Sequence, residues 1–214
     1  EALAFLLRVI GKISGVPATT LLIQKAALFS PVPVRIEALD ALGSHAVSKP
    51  ILAALRSALD APQSAVVYQA LESLQGYGAD AKEVSPAVLA LYKKSSSNWI
   101  QGKALRVGMV TDTTLWKPLV LKEINDAKSP LRGAAAAALA LAPMLEDGPL
   151  LATLLKDSNV RVVTELLESM AGWPASAFTD EIKIALRSDL ERKDPALSAG
   201  IALIIEKFKW KDFG

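Results

Sequence analysis

The ten residues Val34-Arg35-Ile36-Glu37-Ala38-Leu39-Asp40-Ala41-Leu42-Gly43 carry apolar or small side chains at their first, fifth, eighth and ninth positions. That spacing is one face of a helix with 3.6 residues per turn. The same skeleton returns along the chain as Val66 with Ala70 and Leu74, Ile100 with Ala104, Leu131-Arg132 with Ala135 and Leu139, and Val160-Arg161 with Leu167. It recurs more loosely after Pro195, with Gly200 and Leu203. The fifth position is small in nearly every copy (Ala38, Ala70, Ala104, Ala135, Thr164, Gly200), which lets neighbouring helix backbones approach closely.

Between these helices lies a second set, marked by proline. Pro17, Pro50, Pro86, Pro118 and Pro149 are spaced by 33, 36, 32 and 31 residues, and each stands at or near the start of an apolar stretch. Proline costs little in the first turn of a helix, where its missing N–H has no intrahelical acceptor. A sixth start replaces it with Thr179-Asp180-Glu181, a capping hydroxyl followed by two carboxylates at the positive end of the helix dipole. Turn residues precede the second helices: Ser30-Pro31, Asp60-Ala61-Pro62, Ser95-Ser96-Ser97, Asp126 with Ser129-Pro130, Asp157-Ser158-Asn159 and Asp194-Pro195.

A proline-led apolar helix, an Asp-containing turn and a Val-Arg-x-x-Ala-x-x-Ala-Leu-Gly helix together resemble the short HEAT-like repeat of bacterial proteins. The resemblance runs from Pro17 to about Lys207 in six units, with a period shorter than the roughly 40 to 47 residues of longer HEAT and armadillo repeats. It implies an all-α fold, a right-handed α-α superhelix of about six two-helix repeats. Residues 1–209 form the repeat domain on this reading. Residues 1–13 are the back half of an upstream repeat, since Gly11 lies 32 before Gly43, and residues 210–214 are a tail or the start of a downstream segment. The period-two alternation of Glu206 to Phe213 reads as strand or linker.

The composition agrees. Of the 214 residues 51% are hydrophobic but only 6% aromatic, and the apolar content is dominated by the helix formers Ala and Leu. The longest stretch without a charge, Gly133 to Leu145, is 13 residues long, short of the roughly 20 that a membrane helix needs. With no cysteine and one histidine, neither a disulfide framework nor a His/Cys metal cluster can be built. No glycine-rich phosphate loop or nucleophile elbow occurs, and His45 reads as a solvated or helix-capping residue. The expectation is a segment that is not an enzyme and holds no cofactor or metal.

Such arrays bind partners along the concave face lined by the second helices. The fourth and seventh positions of the Val-Arg pattern are expected to face outward there. They are Glu37 and Asp40, Gln69 and Glu72, Lys103 and Arg106, Ala134 and Ala137, Val163 and Leu166, and Ala199 and Ala202, passing from acidic through basic to apolar. Gln69, Glu72, Lys103, Arg106, Ala137 and Leu166 are the candidate partner-binding residues, with an apolar groove in the C-terminal half suited to a peptide or an amphipathic helix. A different rotation of those helices would bury the same positions instead.

A non-catalytic, monomeric scaffold for a protein or peptide is therefore the expectation. The resemblance also admits a client-binding or positioning domain of a larger bacterial enzyme, such as a cyclophilin-type prolyl isomerase, and a bilin-lyase-like role, which no polar constellation in the sequence marks. Nucleic acid is the rival partner. Residues 91–145 hold eight basic against three acidic side chains, but these are spread over several helices in a chain of net charge +2. Trp99, Trp116 and Trp173 are expected to wedge repeats together, and the repeat-equivalent Arg35, Arg132 and Arg161 to pair with turn aspartates.

Overall fold

The computed structural model describes residues 2–13 and 15–210, and every regular element among them is helical. The chain divides into two compact units, Glu1–Thr113 and Thr114–Gly214. No helix among the described residues is long and apolar enough to cross a membrane.

Unit 1 contains α1 (Ala2–Ile10), α2 (Val16–Ala26), α3 (Val32–Gly43), α4 (Lys49–Ala58), α5 (Ser64–Tyr77), α6 (Ser85–Lys94) and α7 (Asn98–Thr111), with a 3-10 stretch Gly78–Val84 leading into α6. The prolines stand where their chemistry is harmless: Pro17, Pro50 and Pro86 all lie in the first turn of a helix. Each proline-led helix packs on the next Val-Arg-type helix, α2 on α3, α4 on α5 and α6 on α7, and the second helices pack on one another in the order α1, α3, α5, α7. The close approach falls at the glycines that end them. A Cβ on Gly43 would lie 2.8 Å from Ser73 Oγ, and one on Gly11 would lie 2.8 Å from Ala41 Cβ. Ser73 uses the space to donate a 2.9 Å hydrogen bond to the Leu39 carbonyl across the α3–α5 contact.

Unit 2 holds α8 (Thr113–Asn125), whose first residue ends unit 1, then α9 (Arg132–Leu141), α10 (Gly148–Leu155), α11 (Val160–Met170), α12 (Asp180–Glu191) and α13 (Pro195–Phe208). Within it α9, α11 and α13 stack in sequence and α10 packs on α12. Thr179 and Asp194 cap α12 and α13 through their side-chain oxygens. Pro118 departs from the pattern, standing inside α8, which begins at Thr113. The carbonyl it leaves without a donor is that of Thr114, an exposed residue whose oxygen water can satisfy.

Two expectations are corrected here. Glu206 to Phe208 are not strand-like but close α13, which ends on a left-handed Lys209 (φ 50°), and Trp210 folds back against Phe178 and Phe208. Of the segment 210–214 only Trp210 lies within the described residues. Ala137 and Leu166 are fully buried, as are Val163 and, almost completely, Ala134, so these positions offer no apolar groove. The reason is that α9 presents an alanine face to α11, and so close a pairing covers the positions that a looser rotation would turn outward. Ala199 and Ala202 on α13 remain exposed.

Candidate functional site

The remaining four candidates meet on the second-helix face of unit 1. On α5 the residues Tyr68, Glu72 and Gln75, and on α7 Trp99, Lys103 and Arg106, both follow i, i+4, i+7, so each trio forms a single row along its helix. The two helices pack side by side, and the rows face each other with an offset of 31 residues for the first two pairs. Trp99 lies flat on Tyr68, with ring centroids 4.1 Å apart and planes within 5°. Lys103 is ion-paired with Glu72, donates to Gln75 Oε1 at 2.7 Å and stands 5.4 Å above the Tyr68 ring. Gln69 turns the other way and donates to Asp40 Oδ1 on α3 at 3.1 Å, and Arg8 on α1 grips Glu37 with two bonds of 2.8 and 2.9 Å.

The electrostatics follow from burial. Lys103 is only 7% exposed, and desolvation lowers its pKa while the Glu72 carboxylate opposes that fall. Burial raises the pKa of the Tyr68 phenol, Glu72 adds to the rise and Arg106 reduces it. Tyr68 is therefore a neutral hydrogen-bonding group at physiological pH. Lys103 is then a positioning residue beneath the surface, and a charge reversal there would disturb the α5–α7 contact as well as any partner. The groups at the surface are Glu72 and Trp99, each about half exposed at 49% and 52%. A rigid, half-exposed indole edged by a carboxylate is an anchor of the kind that dominates binding interfaces.

The aromatic half of this constellation was missed from the sequence, although Tyr68 and Trp99 each stand one turn before a candidate. The signal lay in the four-residue spacing read backward from Glu72 and Lys103. Trp116 and Trp173 do wedge helices: Trp116 is fully buried, and Trp173 donates from Nε1 to the Ala140 carbonyl at 2.6 Å. Trp99 does not. The arginine–aspartate ladder forms once among the described bonds, between Arg132 and Asp157. Arg35 instead donates to the Ala26 carbonyl and Gln63, and Arg161 pairs with Glu165 on its own helix. Of the basic residues between 91 and 145, Lys103, Lys117 and Arg132 are consumed by Glu72, by Glu146 and Asp147, and by Asp157.

No protein-family model matches the sequence, and no curated protein matches it. Among solved structures, a chain from the complex of CpcE and CpcF of phycocyanin lyase from Nostoc sp. PCC7120 superposes with a TM-score of 0.57 at 19% identity, covering 95% of this chain and 88% of that chain. The fold is HEAT-like. An engineered protein superposes at a TM-score of 0.44 and 17% identity, over 89% of this chain and 96% of its own.

The likeness overturns the expectation of a segment that is not an enzyme. A chain of this fold, matched over nearly its whole length, belongs to a lyase. The absence of a sequence-local catalytic motif is weak ground for excluding chemistry in such a fold, because a helical-repeat site is assembled from residues some 30 positions apart, as the α5–α7 rows are.

Proposed function

We propose that this chain binds a protein partner through the α5–α7 face of unit 1, with Trp99 as anchor and Glu72 and Arg106 beside it, and that it serves within a lyase-type assembly. We read it as one of the short bacterial HEAT-like repeats, with residues 1–209 as the repeat region. The observation that carries the reading is the Tyr68–Trp99 stack: a large aromatic ring, immobilised in advance yet half exposed, loses little freedom on binding. The likeness in fold to a chain from a complex of two lyase proteins supports both halves of it.

A photo-crosslinking residue in place of Trp99, in the full chain in its native cell, is expected to give a discrete covalent adduct. The same residue at Ile184 on α12, also exposed, serves as the control. Equal adducts at both positions refute the face. The lyase half is tested by mixing the protein with a bilin and chromophore-free phycocyanin and following covalent colour through a denaturing gel. Protein that leaves the yield at the uncatalysed level refutes that half without touching the first.

A further inference from the structure

At the opposite kind of site in unit 1, a cleft of about 720 Å³ opens among the end of α1, the first turn of α2, the Ser44–Ser48 loop and the first turn of α4. Its lining includes Thr19, Thr20, Ile23, His45, Val47 and Ile51, with Lys12 as the one permanently charged residue and no carboxylate. His45, the only histidine in the sequence, is neither solvated nor a cap. Its Nδ1 lies 3.0 Å from Thr19 Oγ1, and its Nε2 is buried with no hydrogen-bond partner.

The bonds around Thr19 assign the tautomer. The Thr19 hydroxyl has a single proton, and it reaches the Gly15 carbonyl at 3.1 Å, an atom that can only accept. Both contacts of Oγ1 are therefore made when Nδ1 carries the imidazole proton and donates to Thr19. Nε2 is then left with a bare lone pair. A buried acceptor without a donor is a cost that a ligand's donor removes. The first turns of α2 and α4, which contribute Val16 and Ile51 to the lining, have no side-chain cap and bring backbone N–H groups to the same cleft. A group that donates to one and accepts from the other is a hydroxyl.

We infer that this cleft is a binding site for a small, largely apolar alcohol or phenol whose O–H donates to His45 Nε2. Nε2 is covered in the unliganded molecule, so the ligand reaches it by displacing the Ser44–Ser48 loop, which lies outside the helices. The apolar part of the ligand rests on Ile23, Val47 and Ile51.

A sole histidine makes the test direct. In the ¹⁵N-labelled full chain at a pH where the imidazole is neutral, Nδ1 is expected to be protonated and Nε2 bare. Titration with phenol is expected to move the Nε2 resonance to a plateau, while anisole, of the same shape without the donor, leaves it in place. His45→Phe is expected to lower phenol affinity at least tenfold and to remove the preference for phenol over anisole. A protonated Nε2 in the free protein, or equal responses to phenol and anisole, overturns the inference. The first readout uses the unaltered protein, so the test stands even if the variant fails to fold.

Discussion

Asp189 shows how a single buried charge sets a measurable property. It is 1% exposed on α12, its Oδ1 accepts from Arg192 at 3.0 Å, and its Oδ2 is buried without a partner. Burial raises its pKa above the ordinary carboxylate range, against the opposing pull of the Arg192 hydrogen bond and charge and the Lys156 charge. A folded value above the unfolded one means that the native state holds more protons between the two, so stability falls as pH rises through that window. Asp189→Asn is therefore expected to be at least as stable as the parent at pH 7, with the two converging toward pH 4, in denaturant midpoints measured across that range. A variant that loses stability at pH 7 relative to pH 4 would show the Arg192 bond to be dominant instead. None of this is visible in the sequence, where Asp189 is one more acidic residue in a charged helix; the cost arises because α12 turns it inward.

The helices themselves are bound by close contact, and two glycines separate the causes. Gly43 stands where a side chain would strike Ser73, both its Oγ and its backbone, whereas Gly76 in α5 has open space around the Cβ position. Gly43→Val is expected to cost about 1–3 kcal/mol through overpacking of α3 against α5 and loss of the Ser73 bond to Leu39. Gly76→Ala is expected to add about 0.5–1 kcal/mol, because it only lowers the entropy of the unfolded chain. Opposite signs in thermal unfolding of the two variants check the contact; a common sign refutes it. The existence, type and order of the helices were legible in the sequence, since periodicity, first-turn prolines and caps act within a turn or two. Pro118 was misplaced because a start signal and a tolerated interior proline look alike until the exposed Thr114 shows which it is.

Across a whole unit, stability passes from neighbour to neighbour. In unit 2, α9 packs chiefly on α11 and α11 on α13, so a proline at Ala137, in the interior of α9, removes a hydrogen bond from α9 and support from α11. Ala137→Pro is expected to lower hydrogen-exchange protection in α11 as well as in α9. Loss confined to α9 would mean that each helix is held locally.

The residues set the helical class and the repeat because those signals are local: Val34 to Gly43 and its copies announce a helix wherever they stand, and the prolines mark the partners between them. Which face of each helix looks outward is not local, since rotation about a helix axis is decided by what packs on either side. That is why Glu72 and Trp99 surface while Lys103 beside them, and Ala137 and Leu166 at kindred positions, are buried. It is also why the imidazole of His45, an unremarked residue after a helix end, was identified as a bare acceptor at a cleft only once Thr19, 26 positions away, was brought within 3.0 Å of it.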